Sequence, residues 1–486
     1  MRNVFVAFGA VAGAGLFLQC SSFPSLCMGA ECGGIYAADA NADVAQTPDG
    51  CSPEADAKDS PACLDDSYAI FLDSNNGNDA AEGTKEAPVK TVTHALTLLG
   101  NKHRIYICGT GTLNEHVSLT SAVSGLYGGF VCSSWEYNGR MPTIKPLDAG
   151  VALKITSSSA VLSDLALEAQ AGATAGDSSI AVFASNATDV TFRRCSLTAQ
   201  TGAPGSAGSN GVDGAWSDPA GGGAGMTCSC TTGGSTTGGA GGDVGTSGKD
   251  GLPAMPENPP DLIPPQNGAS GVGNTDCRST GSGNNGADAQ PGTNAGANSS
   301  LGQLTASGWL PGDGLDGTDG HPGQGGGGGG GRAGAGGGGG CGGCGGTKGT
   351  AGHGGGASVA MLSYQSTVQL IGCTLMTNQA GSGGSGGNGG DASKGAYGDS
   401  GVGGGCPGGD GGYGGAGGAG SGGAGGISAG VLYSGSAPVP DANTTFNLNV
   451  GDLAGTGGDG GGASGAKGPD GLSGQMVNAE DWTVTR

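Results

Sequence analysis

Charge is scarce in this sequence. Only 12% of its 486 residues are charged, and the 18 basic residues are outnumbered by 40 acidic ones, for a net charge of −22. No basic patch and no run of lysines interleaved with aromatics occurs, so a phosphate backbone would be repelled and nucleic-acid binding is excluded. Aromatic residues are only 5% of the chain. That excludes one compact core over the whole length, because little apolar surface is available to offset the entropy of ordering a glycine-rich chain. Proline, at 22 residues, is too sparse for a collagen helix. The five histidines, His94, His103, His116, His321 and His353, are scattered without ligand spacing. No GxSxG motif appears, and GxGxxG matches inside polyglycine carry no information.

What the chain has in excess is glycine, at 114 residues, more than three times the usual share of roughly 7%. It clusters in residues 202–252, 268–357, 381–430 and 455–474, with strand-like islands between. Four islands align: 160–172, 189–202, 367–381 and 445–458. Taking Leu165, Cys195, Cys373 and Gly451 as equivalent, Ala160, Val190, Val368 and Phe446 stand five positions earlier. Leu162, Phe192, Leu370 and Leu448 stand three earlier, and Leu167, Leu197, Leu375 and Leu453 two later. Each island therefore reads as two short strands of period two joined by a bend. One island cannot bury such a face alone, whereas stacked islands bury a continuous apolar column, the logic of a β-solenoid. Further coils are expected at Ile105–Cys108, Val117–Leu119, Leu126–Val131, Ile144, Val151–Ile155, Ile180–Phe183, Ser358–Leu362 and Ile427–Tyr433.

The glycine excess begins at the same place in successive repeats, after Thr198–Gly202 and again after Thr377–Gly381. Insertions at one loop position are expected of a solenoid, so the blocks at about 203–357 and 381–426 are expected to leave the coils from one corner. Several runs place glycine at every third residue, for example Gly411, Gly414, Gly417, Gly420, Gly423 and Gly426. That is the period of a polyproline-II helix, whose bare face would let neighbours pack closely. The alternative, and the expectation adopted, is largely irregular, flexible extruded loops.

Residues 4–18 form an uncharged apolar run of fifteen residues after Arg2, short for a membrane span and suited to a signal-peptide core. Cys20 follows, then two serines, and this resembles a bacterial lipoprotein signal in which Cys20 is lipidated, although Gln19 replaces the usual small residue. Residues 1–20 are thus expected to be a signal and 21–66 an acidic disordered tether. The ordered body is expected over 67–486. The membrane, at the outer membrane or cell surface, is then contacted only through the lipid; ordinary cleavage within residues 19–40 and a free secreted protein is the alternative.

Fifteen cysteines in an exported chain read as disulfides. The candidates are Cys108 with Cys132, Cys195 with Cys373 at equivalent repeat positions, and Cys228, Cys230, Cys341 and Cys344 in one glycine block, with Cys277 and Cys406 completing a set there. Four thiolates at Cys228, Cys230, Cys341 and Cys344 match a zinc site in number, but the gap of over a hundred residues and the oxidising compartment favour bridges. The aspartates near Asp243, Asp316, Asp410 and Asp459 lack the register of calcium-binding nonapeptides. No metal site and no cofactor is expected.

The stretch 68–100 carries Asp73, Gly77, Asp79, Gly83, Thr84, Pro88, Val89, Lys90, Thr91, Val92 and Ala95, followed by the pattern LYGGF at 126–130 before Trp135. This resembles the start of bacterial, myxobacterial-type surface proteins of the right-handed parallel β-helix class, pectin-lyase-like and with glycine-rich insertions. The resemblance implies an all-β right-handed parallel β-helix whose helix, expected over about Thr91 to Leu99, plugs the N-terminal end. Enzymes of that fold use clustered carboxylates on one strand face. Here Asp164, Asp189, Arg193 and Arg194 lie near one another in repeat terms, but no carboxylate pair recurs in successive coils. The reading is therefore a non-catalytic surface scaffold or adhesin-like module, with cell-surface or matrix polysaccharide as the partner class. A polysaccharide lyase or hydrolase, and a glycine-bundle matrix or ice-binding protein, are the alternatives.

Overall fold

Single left-handed residues set the corners of this protein. Asp164, Arg194 and Gly372 have φ of 56°, 51° and 61° and follow strand partners in register. Ser157, Asn186, Gln365 and Gly435 repeat the device at a second corner, with φ from 45° to 87°. One left-handed residue turns the chain sharply between two extended segments without a long loop.

The computed structural model describes residues 47–53, 55–120, 125–217, 223–252, 267–448 and 453–485. Cys20, Cys27 and Cys32, and the expected signal, lie outside the described residues. The body, residues 45–486, is dominated by β-structure with few helices, in three large parallel sheets. Sheet A holds Ala69–Asp73, Arg104–Cys108, Gly125–Phe130, Val161–Ser163, Val190–Arg193, Val368–Ile371 and Val439–Pro440. Sheet B holds Thr112–Leu113, Thr143–Ile144, Ala166–Glu168, Ser196–Thr198, Thr374–Thr377 and Thr445–Leu448. Sheet C holds Val117–Leu119, Leu153–Thr156, Ser179–Ser185, Ser358–Tyr364, Ser428–Ser434 and Ser473–Asn478, closed by the antiparallel Val484–Thr485. From Arg104 onward the chain visits A, B and C in rotation.

Side chains stack between the sheets as the period-two pattern requires. Leu162, Phe192 and Leu370 align in sheet A, Leu167, Leu197 and Leu375 in sheet B, and all are fully buried in one core. The fourth island sits differently from its expected alignment. Phe446 pairs with Leu375 in sheet B rather than with Val368, and the sheet A partner of the 368–371 strand is Val439–Pro440. Proline lacks the N–H a ladder needs, so that strand is short, and Val439 is exposed. Phe446 still packs against the same core as Val190 and Val368.

A short helix, Val92–Thr97, replaces the expected Thr91–Leu99 span. Thr91 caps it, its hydroxyl accepting from His94 N–H at 3.1 Å, and the Glu115 carboxylate accepts from Val92 N–H at 2.7 Å and Thr93 N–H at 2.9 Å. These bonds satisfy donors left open at a helix start.

The second half of the expected tether is packed, not loose. Two 3₁₀ turns, Ala57–Asp59 and Pro61–Cys63, follow Cys51, which a disulfide ties to Cys63. Arg104, fully buried, holds them: its guanidinium donates to the Pro53 carbonyl at 2.6 Å and to the Tyr106 hydroxyl at 2.9 Å, and lies 4.9 Å from the Tyr127 ring. Burial, outweighing the pull of that guanidinium, pushes the Tyr106 hydroxyl up to about 12.

The three long glycine-rich connections all run from sheet B to sheet C, between 198 and 358, 377 and 428, and 448 and 473. They carry little strand or helix, yet they are not irregular loops. Along 205–214, every third N–H donates to the stretch 382–391, as in Gly208 to Ser385 at 2.8 Å and Gly211 to Asn388 at 2.7 Å. The stretch 405–426 is bonded on all sides. Its N–H groups reach 381–399, 312–327 and 466–469, and its carbonyls accept from 337–355, 283–295 and 455–461. Four neighbours bond it over 405–419 and five over 420–426, each engaged at every third residue, because a three-residue period turns successive groups by about 120°. Glycine is required by contact. A Cβ at Gly417 would lie 2.5 Å from the Thr347 carbonyl carbon and closer to its oxygen.

Surface N–H groups left over by this lattice are capped by side chains, also at three-residue spacing. Asp313, Asp316 and Asp319 accept from Gly354, Ala351 and Lys348 at 2.7–2.9 Å, and Thr347 and Thr350 accept from Val212 and Ser209. Part of the excess acid in the composition is used here, on backbone donors that need acceptors.

Candidate binding cleft

Two of the glycine segments carry aromatic residues where the lattice meets a small hairpin. The antiparallel strands Thr227–Ser229 and Ser235–Thr237 are tied to the lattice by the disulfides Cys228–Cys341 and Cys230–Cys344, with Cα separations of 5.7 and 5.6 Å. Trp216 bridges to Cys230, packs with Met226 against Cys228, Cys341 and Ala396, and donates its indole N–H to the Lys394 carbonyl at 2.8 Å. Tyr397 and Tyr413, on neighbouring segments, are 80% and 50% exposed.

Between these groups lies an open cleft of about 560 Å³, within the range of roughly 300–1,000 Å³ found for small-molecule sites. Trp216, Tyr397 and Tyr413 line it, together with Lys394, Asp288 and Asp410. The lattice fixes the polar members. Asp288 accepts from Tyr413 N–H at 2.7 Å, and Asp410 accepts from Gly398 N–H at 2.9 Å. Each bond uses one carboxylate oxygen. The Lys394 ammonium lies 5.9 Å from the Tyr413 ring, and no ion pair engages it among the described residues. The signal for this site was aromatic residues set in glycine blocks of a chain poor in aromatics, and residue-type motifs do not capture it.

The cysteines singled out from sequence fall into two groups. Cys108–Cys132, Cys228–Cys341, Cys230–Cys344 and Cys277–Cys406 are disulfides. The zinc arrangement is thereby excluded at Cys228, Cys230, Cys341 and Cys344, whose thiols are consumed. The grouping of Asp73, Cys108 and Cys132 offers no ligand set either, since its two sulfurs are bonded to each other. Cys195 and Cys373 are free and buried, contrary to their expected bridge. They do stack, in equivalent bends between strands paired in register, but in-register parallel neighbours point their Cβ atoms the same way, not toward each other as a bridge needs. Each thiol instead hydrogen-bonds back to the preceding coil, Cys195 to the Leu162 carbonyl at 3.4 Å and Cys373 to that of Phe192 at 3.5 Å. Burial pushes the Cys195 thiol well above its ordinary pKa.

The charged residues nearest a catalytic pattern are engaged with one another. Arg194 Nη2 donates to Asp164 at 2.7 Å and Nη1 to Asp56 at 2.7 Å, while the Tyr137 hydroxyl donates to Asp164 at 2.9 Å. Burial raises the Asp56 carboxyl, but the hydrogen bond and charge of Arg194 outweigh it and hold the group below its ordinary pKa. Arg194 thus fastens the segment around Asp56 to the corner at Asp164. The partner that sequence did not reveal is Asp56, 138 residues away.

No family model matches the chain, and no curated protein or solved structure matches it significantly. No helix among the described residues is long and apolar enough to cross a membrane. The five disulfides among the described residues suit a non-reducing, extracellular setting.

Proposed function

We propose that this chain is an exported right-handed parallel β-helix, anchored at a cell surface through a lipid on Cys20, that acts as a non-catalytic scaffold or adhesin-like module. The rotation through three parallel sheets supports the solenoid, and the strong right-handed preference of parallel crossovers supports its hand. The Val92–Thr97 helix packs on the first sheet A strand, in keeping with an end plug. The observation that carries the functional reading is the glycine lattice. Four to five neighbours bonded around one segment, stitched by three disulfides, make a rigid body out of sequence that would otherwise be loose. Asp164 and Arg194, the closest approach to a catalytic grouping, serve to hold the chain together.

The test is a product assay. The purified protein is incubated with pectin, alginate, xylan and mannan, and released reducing ends and unsaturated products are measured. No release above buffer is expected, and catalytic release abolished by substitutions in this chain would overturn the reading. In parallel, Cys20→Ser is expected to abolish incorporation of labelled fatty acid and to move the protein out of the membrane fraction; unchanged labelling refutes the anchor.

One observation favours a second reading, a matrix or ice-binding surface. The capped rows Asp313, Asp316, Asp319 and Thr347, Thr350 repeat at a constant three-residue interval, about 9 Å apart. Thermal hysteresis of the purified protein decides it.

A further inference from the structure

We infer that the cleft between Trp216, Tyr397 and Tyr413 is a binding site for a neutral, hydroxyl-rich glycan chain of pyranose rings. The inference gives the scaffold reading its ligand class, and it rests on that reading only in that the ligand is returned uncleaved.

The argument starts from the exposed rings. Tyr397 keeps most and Tyr413 half of its surface in solvent, on segments whose backbone is fixed by bonds at every third residue. Leaving aromatic faces bare is costly, and here they flank one concave space instead of being scattered. The C–H face of a pyranose packs on such a ring, and the rigid lattice means little ordering entropy is lost on binding.

The polar groups then choose among ligands with an apolar face. Asp288 and Asp410 each have one carboxylate oxygen engaged by a backbone N–H and need donors for the other. Lys394 needs acceptors. A hydroxyl is both donor and acceptor, so a polyol satisfies all three groups at once. A proline-rich peptide, the other common guest of aromatic grooves, offers carbonyl acceptors but few N–H donors, and would desolvate both carboxylates without pairing them. An anionic sugar acid would face two carboxylates against one ammonium. The volume suits a short oligosaccharide stretch rather than a single ring.

The experiment uses the full chain with its disulfides intact. Cellohexaose, chitohexaose, mannohexaose, xylohexaose, a hexagalacturonate and a decaproline peptide are titrated by calorimetry and by tryptophan fluorescence, and the ligand is recovered for mass analysis. At least one neutral hexasaccharide is expected to bind. Tyr397→Ala and Tyr413→Ala are each expected to weaken it tenfold or more, and Asp288→Asn and Lys394→Met severalfold. Trp216→Phe should remove most of the fluorescence change and weaken binding severalfold. Circular dichroism and the thermal midpoint confirm that each variant is folded, and the two tyrosines are exposed enough for their loss to be tolerated. Binding of none of the neutral glycans, binding indifferent to both tyrosine substitutions, or selective binding of decaproline or the uronate overturns the inference and leaves the scaffold reading standing. A glycan that binds and is recovered cleaved keeps the site and overturns the scaffold.

Discussion

Gly417→Ala is the sharpest probe of the glycine lattice. The added methyl would lie 2.5 Å from the Thr347 carbonyl carbon, far inside the separation of about 3.5–4.0 Å at which carbon atoms attract. The neighbour is backbone and cannot swing aside as a side chain would. The segments 405–426 and 337–355 must therefore part locally. Two bonds join them at the contact: Gly349 N–H to Gly418 at 2.9 Å and Gly346 N–H to Gly415 at 3.1 Å. Losing or stretching these at about 1 kcal/mol each, with overpacking strain of about 1–3 kcal/mol, predicts destabilisation of about 3–5 kcal/mol. The control is Gly296→Ala, where an added Cβ meets nothing within 4 Å. There the loss of unfolded-chain entropy should stabilise by about 0.4–1 kcal/mol. Urea unfolding under non-reducing conditions, with hydrogen exchange read at the amides of 337–355, compares the two. Gly417→Ala should lower the midpoint and release protection across that stretch. Equal midpoints and unchanged exchange would falsify the account of why these positions are glycine.

Four further outcomes follow from the structure. Replacing Cys228 and Cys341 together with serine opens a crosslink spanning 113 residues and should cost about 3–5 kcal/mol, with new protease cleavage within 216–237 seen by mass spectrometry. Arg194→Ala strands Asp164, whose side chain is only 5% exposed, and should lower stability by about 3 kcal/mol in a denaturant titration. Because the folded pKa of Asp56 lies below its unfolded value, the stability it contributes is present above about pH 4 and is lost as pH falls through the folded value. Asp56→Asn should flatten that acid limb, and an unchanged limb assigns it elsewhere. Cys195 and Cys373, buried with the Cys195 thiol pushed up, should resist iodoacetamide in native buffer and alkylate only in denaturant, as peptide mapping will report.

Sequence revealed the parallel strands wherever both halves of an island carried a period-two apolar pattern. Leu162, Phe192 and Leu370 could be aligned by eye because each faces the same column, and the common corner for the insertions followed from counting between them. The fourth island misled because its sheet A strand ends in Pro440 and buries little, so Phe446 was matched to the wrong strand. The lattice was half legible. The triplet period was visible, but the partners are backbone groups tens to almost two hundred residues apart, and glycine has no side chain to record which segment lies beside which. The free state of Cys195 and Cys373 depends on Cβ direction, which spacing does not encode. The cleft was missed because its rings come from three separate segments, Trp216, Tyr397 and Tyr413, brought together only by that unseen pairing.

The corner from which every long connection departs has an evolutionary consequence. Chain added there leaves the column of coils untouched, so growth is tolerated at that one point. Its length, however, is quantised. A gain or loss of three residues slides a segment along its neighbours with all bonds re-formed, whereas a change of one or two rotates it and drives side chains into places where only a hydrogen atom fits. Relatives of this protein should therefore differ in these tracts by whole triplets, a ratchet set by backbone geometry and not by any encoded motif.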